Sequence, residues 1–279
     1  MSDDIETLVA RLPQLGDAVL VTLQLTVGGA LLAMVVALLL GFGSRTRTLW
    51  VRGPSRVVVE FFRGTSLVVQ FFWLFYVLPA FGFKLESMAV GILALGLNYG
   101  AYGAEVVRGS INSVPRGQWE ACTALNLGPV HRIRRVIFPQ AWALMLPMLA
   151  NLLIQLLKGS ALATYVYLHD VFFWTDQLRT ATRDTFFSFT VGLVVYFVIA
   201  YVLTWGMNGL EARAKRRLGV VPTRPTLRDV LRVRPADPAS PGTAPSGRPA
   251  TGDDVATAGS QDDEAGARVA TGARRGEDS

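Results

Sequence analysis

Cysteine is almost missing from these 279 residues, and its one copy, Cys122, excludes both an intrachain disulfide and a thiolate metal site. Histidine is nearly as scarce. His131 and His169 lack the helical or zinc-type spacing that ligands need, so both are read as surface or interfacial residues. The only lysines are Lys84, Lys158 and Lys215, and none follows the glycines of a G-x-x-x-x-G-K-[ST] loop. The chain therefore has no phosphate cradle of its own. Charge is also thin, at 17% of residues against 51% hydrophobic, too little for the wet surface of a soluble domain. Nor does the start read as a secretory signal, because Met1–Gly16 carries Asp3, Asp4 and Glu6 where a basic stretch is needed.

What is present is a series of long apolar blocks separated by charge. A hydrocarbon core about 30 Å thick needs roughly 20 apolar helical residues. Five stretches meet or approach that length. They lie between Asp17 and Arg45, Arg63 and Lys84, Glu86 and Glu105, from Val136 to Leu157, and from Thr185 to Leu210. The reading is an all-α protein with five membrane-spanning helices.

The net charge of +6 has no basic stripe interleaved with aromatics, so nucleic acid is not an expected partner. Its basic residues sit beside the apolar blocks, on alternating connections. One set holds Arg45, Arg47, Arg52, Arg56 and Arg63, then Arg108, Arg116, Arg132, Arg134 and Arg135, then Arg213, Lys215, Arg216 and Arg217. The opposite set holds Arg11, Lys84, Arg179 and Arg183, partly offset by Asp170, Asp176 and Asp184. By the positive-inside rule the first set is cytoplasmic, which puts the N-terminus outside and the C-terminus inside. Three parts follow: an extracytoplasmic segment 1–17, a membrane domain 18–212, and a cytoplasmic tail 213–279. From about 222 the tail turns to Pro, Ala, Gly, Ser, Thr, Asp and Arg, a composition expected to stay disordered.

The third connection is too long for a simple turn. Pro115 is expected to open a helix at its first position, with Trp119, Cys122 and Leu125 recurring along one face. Asn126 tolerates the left-handed conformation that closes a helix. Gly128 and Pro129 read as the cap and first turn of a second helix, with Val130, Ile133, Val136 and Ile137 on its apolar side. Pro139 leads into the fourth span. Physically, this helix–turn–helix fits either an interfacial anchor or a knob that docks on another protein.

Here a resemblance enters. Glu120-Ala121-Cys122-Thr123-Ala124-Leu125-Asn126-Leu127-Gly128, with Val136-Ile137-Phe138-Pro139, resembles the EAA loop, residues 115–139 here, of binding-protein-dependent ABC importer permeases. Cys122 stands for the second Ala of that pattern and Asn126 for its Gly. Glu60-Phe61-Phe62-Arg63-Gly64-Thr65, placed at the start of the second span, is similar to an element of the polar amino-acid branch, with Ser66 in place of Pro. Tyr99 to Gly109 and Pro115 to Ala121 resemble further elements of that branch, and ectoine permeases look similar to it.

The resemblance implies a type I ABC importer permease fold in a bacterial cell membrane, multi-pass and not itself an enzyme. It implies a cytoplasmic ABC ATPase dimer that holds ATP and Mg, a second permease (the same chain or a related one), an extracytoplasmic solute-binding protein, and surrounding lipid. No cofactor or metal is expected on this chain. Glu120, Ala121, Asn126, Leu127, Gly128 and Pro129 are then the expected ATPase-coupling residues.

Polar groups inside a membrane are costly and point to a pathway. Asn151, Gln155 and Lys158 recur at helical spacing in the fourth span, followed by Ser160 and Thr164; Asn98 lies in the third. The Lys158 ammonium either meets a substrate carboxylate, snorkels to the interface, or pairs with an internal carboxylate. Gly96, Gly100 and Ala104 make a small-residue seam, between subunits or within one. A secondary transporter, a channel and a non-transporting scaffold are the competing readings. The absence of repeats speaks against the first two, and the helix–turn–helix against the third.

Overall fold

The computed structural model describes residues 2–46 and 48–217; the expected disorder from about 222 lies outside them. Among the described residues every regular element is helical. That follows from the apolar composition, because in hydrocarbon the backbone has only itself to bond with. Four helices are long and apolar enough to cross a membrane, and counting the bent pair Leu49–Gly64 and Leu67–Phe81 as one span makes five.

Helix α1 runs from Ser2 to Gly43 and carries Pro13 without ending there. The segment 1–17 is thus mostly a continuation of the first span. Its Leu8 and Leu15 pack onto the cluster around Trp174 and Leu178, which repays the ordering of that extension. Buried hydroxyls on α1 are satisfied within it: Thr26 donates to the Thr22 carbonyl at 2.7 Å.

The first connection is a helix, α2 (Leu49–Gly64), with Trp50, Val57 and Phe61 exposed along one side and Val59 buried on the other. The chain then bends by 104° into α3 (Leu67–Phe81). Glu60–Gly64 thus ends α2, directly before the bend. Within α3 the α-helix Leu67–Phe72 passes into a π-helical stretch, Trp73–Val77, and a 3₁₀ turn, Leu78–Phe81. Gly82, at φ 89°, closes it.

Helix α4 (Ser87–Asn112) extends past Glu105 and Arg108, which pair on its surface. It packs along α1 through its small residues. A Cβ on Gly96 would stand 2.5 Å from Leu32, and one on Gly100 2.7 Å from Val36. The seam is therefore intramolecular, between α1 and α4.

The short α5 (Arg116–Ala124) follows, then α6 (Pro129–Val166), unbroken from the loop through the fourth span. Pro139 sits early in the α-helical part of α6, just after a π-helical stretch, Arg132–Ile137, so it causes no break. A helix that the charge pattern had hidden, α7 (Val171–Thr182), lies between the last two spans. Helix α8 (Thr185–Arg217) is the last of the candidate spans in chain order.

Candidate functional site

The loop between α4 and α6 is fixed by its two ends. Ser113 caps α4 with its backbone N–H on the Gly109 carbonyl at 3.0 Å, and buried Val114 anchors the exit. Pro115 occupies the cap position of α5, with φ −51° and ψ 138°, and Arg116 is the first helical residue. The expected first-position proline is thus one residue early. A capping proline needs no N–H, so the local chemistry is unchanged.

Trp119 and Cys122 turn inward. Trp119 packs with the core that includes Ile137, Ala141 and Met145, and the Arg45 guanidinium lies 5.6 Å from its ring centroid. Arg45 also bonds the Asn112 side chain, tying the end of α1 to the end of α4. Gln140 donates to Gln118 at 3.2 Å, holding α6 to α5.

The turn is a Schellman motif. The Leu127 N–H bonds the Cys122 carbonyl at 3.0 Å and the Asn126 N–H bonds that of Thr123 at 2.9 Å. Asn126 has φ 51°, the left-handed conformation expected of it. Leu127 is half-buried and Cys122 buried at the two apolar positions of the motif. Gly128 caps the next helix and Pro129 takes its first turn, as the sequence suggests.

This architecture leaves a small surface facing away from the bundle. Glu120, Ala121 and Asn126 are exposed. So are two residues assigned by periodicity to inward faces: Leu125 is 73% exposed and Val130 75%. They flank the turn. A sequence signal existed, since two large apolar residues bracket an Asn–Leu–Gly–Pro turn that has no room to bury both.

The intramembrane polar residues separate into two groups. Asn151, Gln155 and Lys158 stand at the expected spacing on the outer face of α6, all exposed, in line with Leu144 and Met148. Ser160 is fully buried, its hydroxyl on the Leu157 carbonyl at 2.7 Å; two and a half helical turns beyond Asn151, it lies on the opposite face. Asn98 is also buried, and its amide donates to the Phe62 carbonyl at 3.0 Å. Neither joins the stripe.

Asn98 belongs to a brace at the α2–α3 bend. Phe62 and Arg63 end α2 with free carbonyls. Gln70 donates to Phe62 at 3.1 Å and to Thr65 at 2.7 Å, and Tyr102 donates to Arg63 at 3.3 Å.

At the other end of α6, Asp170 is completely buried at the cap of α7. It accepts from Thr164, from the Phe173 N–H at 3.0 Å and from Tyr196 at 3.3 Å. Burial pushes its carboxyl above the usual range, and these hydrogen bonds oppose the shift only in part.

Known proteins share this fold. The family described as "Binding-protein-dependent transport system inner membrane component" matches residues 33–216. A "Probable amino-acid ABC transporter permease protein" of Sinorhizobium fredii is 41% identical over 211 residues, covering 74% of this chain and 89% of its own length. An "L-cystine transport system permease protein" of Bacillus subtilis is 31% identical over 205 residues, covering 73% and 88%. A solved amino acid ABC transporter, crystallised with histidines, superposes with a TM-score of 0.69 at 28% identity, over 74% of this chain and 96% of that one.

Proposed function

Because this chain belongs to that family of inner membrane components and is a permease subunit of an amino-acid ABC importer, we propose that the α5–α6 turn is its contact with a separate ATPase. The observation that supports this most is the exposure of Leu125 and Val130 on either side of a turn fixed by four local constraints: the two Schellman bonds, Gly128 and Pro129. A membrane anchor needs a continuous apolar face. Here Trp119 and Cys122, the larger apolar residues of α5, are turned into the bundle, and Glu120 and Asn126 stand beside the exposed Leu125 and Val130. A compact knob with an apolar centre and a polar edge suits a groove on a partner protein.

The partners in this reading are a cytoplasmic ATPase dimer carrying ATP and Mg, a second permease, and an extracytoplasmic solute-binding protein, in a bacterial inner membrane. The side bearing the α5–α6 turn is cytoplasmic, since the basic connections gather there. Asn151, Gln155 and Lys158 form the pathway lining. Their exposure supports this: three polar side chains on an outward face need water or a second subunit across from them, not lipid. Lys158 meets the substrate carboxylate. The solute is a polar amino acid: the relatives' names point to amino acids, the resemblance at Glu60–Thr65 to the polar branch, and ectoine has no support from those names.

The test is reconstitution of the chain with its ATPase and binding protein in vesicles. Uptake of a labelled amino acid that needs ATP, with hydrolysis stimulated by liganded binding protein, is expected. Replacing Leu125 and Val130 together with Ser should abolish the stimulation and leave insertion unchanged. Full stimulation in that variant would remove the turn as the contact.

A further inference from the structure

A cleft of about 760 Å³ opens at the end of the bundle that carries the α5–α6 turn. Its walls come from three helices: Leu38 on α1, Phe138, Pro139 and Trp142 on α6, and Leu210, Arg213 and Ala214 on α8. The aromatic side is continuous, with ring centroids 5.8 Å apart for Phe42 and Phe138 and 5.9 Å for Phe138 and Trp142. Everything on the lining is apolar except the Arg213 guanidinium.

The position of that guanidinium carries the argument. Thr185 to Leu210 is the apolar length of α8, and the first charge after it is Glu211. The cleft therefore straddles the depth at which hydrocarbon gives way to headgroups, with apolar walls on one side of the boundary and one cation on the other. Of the neighbouring charges, Lys215 and Glu211 pair at 2.5 Å, and the exposed Arg216 is not part of the lining. Arg213 is exposed and has no carboxylate partner among the described residues.

We propose that this cleft binds one phospholipid with an anionic headgroup, its chain along Leu38, Phe138, Trp142 and Leu210 and its phosphate on Arg213. Charge complementarity selects the headgroup. A guanidinium offers a planar fork of donors to phosphate oxygens, and a net negative lipid leaves no second cation to accommodate. The site has a functional address as well. Phe138 and Pro139 begin the α-helical part of α6, directly after the π-helical stretch that joins it to the α5–α6 turn. An occupied cleft wedges that junction against α8, so the lipid regulates how firmly the turn is held.

The experiment is native mass spectrometry of the complete, delipidated transporter complex, titrated separately with phosphatidylglycerol and phosphatidylcholine. The intact protein is expected to retain phosphatidylglycerol with a preference of about tenfold, the worth of one charge-assisted contact. Arg213→Gln should erase the preference and Arg213→Lys should keep most of it. Ala214→Trp, which fills the cleft, should displace both lipids. Equal retention of the two lipids by the intact protein overturns the proposal, as does an unchanged preference in Arg213→Gln. A Leu210→Cys variant in a Cys122→Ala background, labelled with a thiol-linked photocrosslinker, checks the occupant directly: a photocrosslink to a second copy of the chain, or to its own residues 218–279, in place of lipid also overturns it.

Discussion

The side-chain amide of Asn98 on α4 reaches across to the Phe62 carbonyl at the end of α2, 3.0 Å away and 36 residues distant in sequence. Gln70 donates to the same carbonyl at 3.1 Å. A carbonyl oxygen has two lone pairs, so both bonds are made at once. Together they hold the 104° change of direction between an amphipathic helix and a span.

Removing one donor leaves the other, whereas removing both strands a buried acceptor. Asn98→Leu and Gln70→Leu should each destabilise by about 1 kcal/mol, and the double variant by clearly more than their sum. Thermal unfolding of the purified complex measures this. Simple additivity would mean that the two amides do not share a cap.

At Asn126 the backbone has φ 51°, where a branched side chain is strained. Asn126→Gly should be neutral or mildly stabilising, while Asn126→Val should cost about 1–2 kcal/mol locally. Since the turn is outside the spans, the expected signature of Asn126→Val is ATP hydrolysis that no longer drives uptake, with normal expression. Parallel hydrolysis and uptake assays decide it.

Close approach of α1 and α4 depends on the missing side chains at Gly96 and Gly100. Gly100→Val places methyl groups where Val36 already stands and should destabilise by about 1–3 kcal/mol. Val36→Ala in the same chain is expected to restore part of the loss. A measured melting temperature that does not respond to the second change would argue against direct contact.

Asp170 predicts a pH effect. Its carboxyl pKa is raised in the folded protein, so the folded state holds the proton more tightly than the unfolded chain. The stability it contributes is complete below the ordinary aspartate range and is lost as pH rises through the raised folded value. Asp170→Asn keeps an acceptor for the Phe173 N–H and removes the buried charge. Melting temperatures recorded across pH should fall with rising pH for the native protein and flatten for the variant; parallel curves would rule this out.

How much of this was legible in the sequence depends on how local each cause is. The turn at Asn126, Gly128 and Pro129 could be read because backbone preference belongs to the residue itself. The spacing of Asn151, Gln155 and Lys158 likewise survives because α6 is regular there. The bend after Gly64 could not be read. The chain stays uncharged from Gly64 to Phe83, and the groups that cap the bend, Gln70, Asn98 and Tyr102, come from beyond it. Ser160, two and a half helical turns beyond Asn151, falls on the face opposite the stripe, which helical spacing alone shows. Helix α7 was hidden by its charges: Asp176 and Arg179 pair with each other at 2.8 Å, so they do not break it.

The continuity of α6 has a mechanical consequence. Its 38 residues make a rod of about 57 Å, nearly twice the thickness of the hydrocarbon it crosses. Its π-helical start and 3₁₀ end run on from the α-helix without a break in the chain of turns. A rocking of about 10° about its midpoint carries each tip roughly 5 Å, in opposite directions. Force applied beside Val130 therefore arrives at Tyr165 with its sense reversed, so that closing one mouth and opening the other are a single stroke of one lever.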